Sequence, residues 1–237
     1  MGLKLERKKQ FNGWLSLAYR LKKILPLSQK WKLKLFLDLE WTFARFAHEA
    51  SFKLYAIEDH PVRKFTKQFL LQNLSANQTV LDLGCKQGEL SNMIAEKVKT
   101  VIGIDHDGRA IQTAKTKFLR DNLCFVEAEA YQYLSGQNQV FDVLILSHIL
   151  EHLDEPESFL LSFKQFFKFI FIEVPDFDSS YLNHYRKDFK NSLIYSDNDH
   201  VSEFDRIELK ELLLECGFIV LKEEYRFGVQ RLWCKVN

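Results

Sequence analysis

The sequence predicts an α/β fold: a doubly wound, mostly parallel sheet of seven strands, preceded by a helical extension and closed by an antiparallel hairpin. Three observations carry the prediction. Five apolar runs of four to seven residues lie between residues 79 and 174, separated by stretches with helical spacing. Before residue 79, aromatic and aliphatic residues instead recur every three or four positions. Two β-rich runs, divided around Gly228, end the chain. Continuous apolar strands alternating with helices indicate a parallel sheet covered on both faces.

The elements follow in order. Residues 10–25 read as a helix with Phe11, Trp14, Leu15, Ala18, Leu21 and Leu25 on one face, stopped by Pro26. Residues 30–57 read as a second helix carrying Trp31, Phe36, Trp41 and Phe46. His60-Pro61 marks a break, because the residue before a proline is pushed out of helical geometry. Residues 62–73 form a third helix. Strands are expected at 79–83 (TVLDL), 101–104 (VIGI), 123–126 (LCFV), 141–146 (FDVLIL) and 168–174 (KFIFIEV). Helices fall near 88–98, 108–119 and 156–167, and a last helix, 206–216, is closed by Gly217. The runs 218–226 and 229–236 make the hairpin. The expected division is an N-terminal helical extension, 1–60, and a single α/β domain, 61–237.

Composition excludes other classes. Of 237 residues, 46% are hydrophobic and 27% charged, which excludes a disordered chain. Nine Gly and four Pro exclude collagen-like or low-complexity character. No apolar run approaches the roughly 20 residues that span a bilayer, and no secretory signal pattern is expected at the N-terminus. The four cysteines, Cys85, Cys124, Cys216 and Cys234, include no C-x-x-C pair. That argues against a structural zinc site and for a reduced, cytoplasmic setting.

Charge is uneven. Residues 1–34 hold ten Lys or Arg and one acid, Glu6, a charge of +9. The whole chain carries +1, so the remainder carries −8. A basic arm of this kind can meet a membrane surface, a nucleic acid or the acidic body itself. The helix at 10–25 sets Arg20 and Lys23 opposite its apolar face, with Lys22 on the boundary. Packing as a lid over the acceptor site is the favoured expectation. Peripheral docking at the inner face of a membrane is the second. Nucleic-acid binding is the third and is disfavoured, since the body is acidic and no RNA-binding module is visible.

The first strand ends in Asp82-Leu83-Gly84-Cys85-Lys86-Gln87-Gly88, and a helix begins at once. Glycines here let the backbone approach a ligand, and the helix N-terminus offers free N–H groups. The second strand ends in Gly103-Ile104-Asp105, placing a carboxylate where ribose hydroxyls bind. The pair points to an adenosine-containing cofactor. The turn lacks the middle glycine of G-x-G-x-x-G, and Asp82 would repel a pyrophosphate. It suits a cofactor with a positive amino group and no phosphate, S-adenosylmethionine.

The stretch VLDLGCKQGEL…VIGIDHD…FVEAEA…FDVLILSHILEHLDEP…FIEVPD…DHVSEFDRIELKELLLECGF resembles the class I S-adenosylmethionine-dependent methyltransferases, in particular those with an L-E-H motif after the fourth strand. The resemblance covers about residues 60–237 and implies a Rossmann-like sheet. It implies that Asp82, Gly84, Cys85, Lys86 and Gly88 surround the methionine moiety and that Asp105 takes the ribose, with His106 beside the adenine. Glu129 and the Ala130 backbone would meet the adenine amino group, and Ser147 and His148 would line the pocket. Lys86 stands where the family has a glycine. Either it pairs with the methionine carboxylate, or it crowds the site of a protein that no longer catalyses. Proteins of this resemblance often accompany polysaccharide or lipid-linked sugar biosynthesis.

A sulfonium methyl is already electrophilic, so the protein must align the acceptor and, for a hydroxyl, remove a proton. Ser147-His148-Ile149-Leu150-Glu151-His152 is not the Asn/Asp-Pro-Pro-Tyr/Phe motif that grips exocyclic amines, which favours oxygen as the acceptor atom. His148, Glu151 and His152 are spaced to share one face of a helical turn, and His200 is a fourth candidate base. The same four residues could instead hold a divalent metal, the less favoured reading. Small-RNA 2′-O-methyltransferases hold metal with a similar Glu/His set, and ubiquinone-pathway O-methyltransferases share the E-H pair. A third reading is structural, with Glu151 and His152 simply bonding to nearby loops. Asp176, Asp178, Asp197 and Asp199 lie on loops where acceptor hydroxyls would sit, although solvated loop acids are the plainer account of any one. The leading expectation is an O-methyltransferase acting on a small-molecule, glycan or lipid-linked hydroxyl. The alternatives are a non-catalytic partner protein of the same fold and a metal-assisted RNA ribose 2′-O-methyltransferase; an oxidoreductase is opposed by the turn sequence.

Overall fold

Strand β1 (Thr79–Leu83) lies inside the sheet, and its three central residues are buried. The computed structural model describes residues 13–57, 59–136 and 140–237. Residues 10–12 of the expected first helix, Phe11 among them, lie outside the described residues.

Three helices come first: α1 (Gly13–Ile24), α2 (Gln29–Leu54) and α3 (Pro61–Asn73). Ser28 caps α2 by accepting from the Trp31 N–H, and Pro61 opens α3, where its missing N–H costs nothing. After β1 follow α4 (Glu89–Ala95), β2 (Thr100–Asp105), α5 (Gly108–Lys117), β3 (Leu123–Glu127), α6 (Ala130–Ser135) and β4 (Phe141–Ser147). The second half contains α7 (Pro156–Phe163), β5 (Phe167–Pro175), α8 (Tyr181–Asp188), α9 (Arg206–Glu215), β6 (Phe218–Arg226) and β7 (Val229–Val236). Single 3-10 turns occupy Leu150–His152, Lys164–Phe166 and Phe177–Ser179.

The sheet has seven strands in the order β3-β2-β1-β4-β5-β7-β6. The first five are mutually parallel, and β7 pairs antiparallel with both β5 and β6. Each face is covered. On one, Leu81, Leu144, Leu146 and Ile172 pack with Leu160 of α7 and Leu209 and Leu213 of α9. On the other, Val80, Val143, Ile145 and Phe171 pack with Phe69 and Leu70 of α3 and Ile94 of α4. Strand order reverses between β1 and β4, so a crevice opens at their carboxyl ends, where open α/β sheets bind ligands.

The extension is fastened through one face of α2. Leu37 is buried, and the buried Arg186 of α8 donates to its carbonyl oxygen and pairs with Glu40. The Trp41 indole donates to the Tyr195 carbonyl at 2.7 Å, and Arg45 pairs with Asp197 at 2.5 Å. Helices α6 and α8 were not expected. One is six residues long and the other (YLNHYRKD) spans only eight, with three apolar or aromatic residues among them.

Candidate active site

The site is built at the carboxyl ends of β1, β2, β4 and β5. The turn after β1 is held by backbone geometry. Gly84 (φ +71°) and Gly88 (φ +81°) are both left-handed, which favours glycine. A Cβ at Gly84 would stand 2.5 Å from the Ile149 side chain, and one at Gly88 would stand 2.4 Å from the Phe125 ring. The N–H groups of Gly84 and Cys85 both donate to the Ile104 carbonyl, tying the turn to β2. Lys86 is also left-handed (φ +48°), a conformation that costs a residue with a Cβ about 1–2 kcal/mol. Its N–H donates to Asp105 Oδ2 at 2.9 Å, and its side chain is exposed. Cys85 is buried, and burial raises its thiol pKa.

Asp82, the fourth residue of β1, is buried under this turn. Burial raises its carboxyl from 3.8 to about 7, against the opposing effect of a 2.5 Å hydrogen bond from Ser91 Oγ. Asp105 ends β2 with its oxygens accepting from the Lys86 and Asp107 N–H groups. His106 beside it is exposed. Glu129 is the exposed N-cap of α6 and Ala130 its first residue. The Ala128 N–H donates to the Asp105 carbonyl, which holds the β3 end beside the β2 end.

A cavity of about 190 Å³ lies over these strand ends. It gathers Asp82, Gly84, Cys85, Lys86, Ser147 and His148. Gly88, Asp105, His106, Glu129 and Ala130 lie outside its lining. Phe52 of α2 and Val62, Arg63 and Thr66 of α3 form one side of its wall, and Glu89, Leu90 and Met93 of α4 and Glu173 of β5 also line it.

His148 follows β4 in a left-handed conformation (φ +57°). The expected single helical turn over His148, Glu151 and His152 is corrected here, because only Leu150–His152 is helical, and as a 3-10 turn. Pairing with β5 continues to Ser147, and the His148 N–H still donates to the Glu173 carbonyl. The chain therefore leaves the strand at His148 itself. His148 Nδ1 nevertheless lies 2.8 Å from Glu151 Oε1, and Nε2 lies 3.7 Å from Glu173 Oε1. Burial lowers the His148 pKa, but the Glu151 hydrogen bond and the Glu173 and Glu151 charges outweigh it and raise the net value. Glu151 is fully buried, and its second carboxylate oxygen has no partner.

His152 and His200 lie on the other side of Glu151, their rings edge to face at 4.9 Å. His152 Nδ1 is 3.1 Å from the Asp199 carbonyl. His200 Nδ1 is 2.7 Å from Glu203 Oε1. Burial opposes protonation of His200, yet the Glu203 hydrogen bond and charge raise its pKa. Glu151, His152 and His200 each offer a ligand atom within 4.8 Å of the others, so three of the four residues named for a metal are grouped, without His148. The loop acids are mostly engaged elsewhere: Asp176 with Arg206, Asp178 with His184, Asp197 with Arg45, while Asp199 is exposed.

A family profile described as a methyltransferase domain matches residues 55–223 of this chain. The chain belongs to the class I S-adenosylmethionine-dependent methyltransferases. This methyltransferase is 26% identical over 103 residues to a ubiquinone biosynthesis O-methyltransferase of Serratia proteamaculans, covering 42% of this chain and 43% of the relative. It is 30% identical over 103 residues to the mitochondrial enzyme of the same name from Schizosaccharomyces pombe, covering 41% and 36%. The chain thus spans less than half the length of these curated relatives. Among solved structures, magnesium protoporphyrin IX methyltransferase of Synechocystis superposes with a TM-score of 0.57 at 14% identity, over 73% of this chain and 81% of that one. An N-methyltransferase of Bradyrhizobium japonicum gives 0.56 at 14%, over 76% and 90%. These likenesses are of fold.

Sequence reasoning did not find the buried network behind the methyltransferase's site. Arg231 of β7 is fully buried with Nε 2.6 Å from Glu173 Oε2. Thr66 Oγ1 donates to the same oxygen at 2.5 Å, and Ser147 Oγ to Oε1 at 3.0 Å. The available signal was one acid in KFIFIEV and one arginine in VQRLWCKV, which antiparallel pairing sets directly opposite each other.

Proposed function

We propose that this methyltransferase transfers the methyl group to a hydroxyl oxygen of a small-molecule, glycan or lipid-linked acceptor. The observation that carries the reading is His148, positioned by Glu151 and opening on the same cavity as Asp82. The residues fit the cofactor. A buried carboxyl that ionises near neutral pH suits an ammonium group, and Gly84 and Gly88 let the turn pack closely against Ile149 and Phe125 beside the cavity. Lys86 and Arg63 are the lysine and arginine side chains of the cavity wall and would face the carboxylate, with Asp105 available to the ribose. Glu129 and Ala130 extend the binding line toward β3. The bound cofactor supplies an electrophilic methyl. The chain's own part is to orient the acceptor and take its proton on His148, with Glu151 holding the ring and stabilising the imidazolium.

The names of the curated relatives support oxygen as the acceptor atom, as does the sequence after β4. The same transfer assisted by a divalent metal is the second reading, favoured by the grouping of Glu151, His152 and His200.

Calorimetric titration of the full chain with S-adenosylmethionine tests the cofactor, and one saturable site is expected. Labelled-methyl transfer to hydroxylated acceptors, with and without magnesium or a chelator, tests the chemistry. His152→Ala should retain cofactor binding and lower turnover. A folded chain that binds no S-adenosylmethionine would instead be a non-catalytic partner.

A further inference from the structure

We propose that the outer face of α1 and α2 docks on an anionic lipid bilayer. Helix α2 uses one side, Leu37, Trp41 and Arg45, to hold the rest of the protein. On its other side Trp31, Leu35, Leu39, Phe43 and Phe46 follow one another at four- and three-residue spacing, forming a single stripe. All five are exposed, Trp31, Phe43 and Phe46 by 60% or more. The stripe runs about 22 Å along the helix. Helix α1 has no buried residue, and Leu17, Leu21 and Ile24 share a second exposed apolar line. Contiguous apolar surface of this extent marks an interaction site.

Charge selects the occupant. Residues 13–34 contain Arg20, Lys22, Lys23, Lys30, Lys32 and Lys34 and no acid. The Lys22 ammonium lies 5.8 Å over the Phe36 ring, which places a basic group at the edge of the apolar surface. An apolar stripe edged with lysine, with a tryptophan at one end, matches the headgroup region of an anionic bilayer, where lysines meet phosphates and aromatic rings enter the acyl boundary. A second copy placed symmetrically on the same face would bring twelve like charges together. No helix among the described residues is long and apolar enough to cross a membrane, so the contact is peripheral. Phe52, on the last turn of α2, lines the cavity, so the docked helix leads to the candidate active site.

Co-sedimentation of the full chain with vesicles tests this without reference to activity. Vesicles of phosphatidylcholine with about 30% phosphatidylglycerol should bind roughly tenfold or more tightly than phosphatidylcholine alone, and binding should weaken by a similar factor when salt is raised to about 0.5 M. Lys22→Glu/Lys23→Glu should abolish the preference for anionic vesicles. Phe43→Ser/Phe46→Ser should weaken binding to them at least tenfold while leaving the circular dichroism spectrum unchanged. Absence of binding by the folded chain, equal binding to both vesicles, or folded variants that bind like the parent would each overturn the proposal. So would a chain that forms dimers broken by Phe43→Ser/Phe46→Ser and ignores both vesicle types.

Discussion

Arg231→Met removes the guanidinium that holds the scaffold of the site and keeps most of the apolar stem. In the parent, Arg231 is fully buried and donates to Glu173 at 2.6 Å, Glu224 at 3.1 Å and the Val62 carbonyl at 3.1 Å. Glu224 is partly exposed and recovers hydration. Glu173 is buried and does not, so breaking the pair leaves an uncompensated charge, at a cost of about 3–5 kcal/mol. The Val62 carbonyl keeps the Thr66 hydroxyl as a donor at 3.0 Å and adds little. The sum is a large share of the roughly 5–15 kcal/mol that stabilises a folded domain. For a chain of this length it corresponds to a fall in Tm of about 10–20 °C. Urea denaturation of the parent, Arg231→Met, Glu173→Gln and the double variant forms the assay. Once Glu173 is neutral, the loss of Arg231 should cost at least about 2 kcal/mol less than in the parent. A single-variant loss below about 1 kcal/mol, or strict additivity of the two changes, would refute the account of Glu173 and Arg231 as a coupled buried pair.

The remaining predictions concern the turn and the titrating groups. Asp82 binds more protons folded than unfolded between about pH 4 and 7, so its contribution to stability falls as pH rises through that window. Asp82→Asn should flatten this limb in pH-dependent melts and remove the rise in S-adenosylmethionine affinity expected as pH passes 7. Glu151→Gln removes the acceptor and charge that raise the His148 pKa. The stability that His148 contributes, present below its unfolded pKa and lost as pH rises through the folded one, should shrink to what the Glu173 charge still supports. The acid limb of the pH–rate profile should move to lower pH, with kcat reduced about 10–100-fold. Gly88→Ala meets both a left-handed backbone and the Phe125 ring, whereas Gly228→Ala at φ +74° has nothing within 4 Å. Urea unfolding should show a loss of about 2–5 kcal/mol for the first and only about 1–2 kcal/mol for the second.

Much of the fold was legible. The hairpin bounds, 218–226 and 229–236, agree with β6 and β7, because Gly217 and Gly228 punctuate two strongly β-forming runs. The first five strands were found within one or two residues, since runs buried on both faces have no competing period. Helix ends were less legible. The helix expected over 156–167 stops at Phe163, followed by a 3-10 turn and then β5 from Phe167. Its last apolar residue, Phe167, opens a strand, and periodicity does not distinguish the two uses.

The candidate site divides in the same way. Asp82, the two glycines and Asp105 were visible because strand-end position and residue type are local properties. The geometry of His148 was not, since its left-handed turn depends on β4 remaining paired with β5 to the last residue.

Residue order alone settles the alternation of elements, the phosphate-free character of the first turn and the uneven placement of charge, because each depends on near neighbours in the chain. Tertiary structure alone decided that Glu173 meets Arg231, that α3 supplies Thr66 and Arg63 to the cavity wall, and that α2 is fastened by one face and bare on the other. These contacts join residues 58 to 165 positions apart. Nothing in a local stretch records such a pairing; it exists only once the sheet has set its strand order and register.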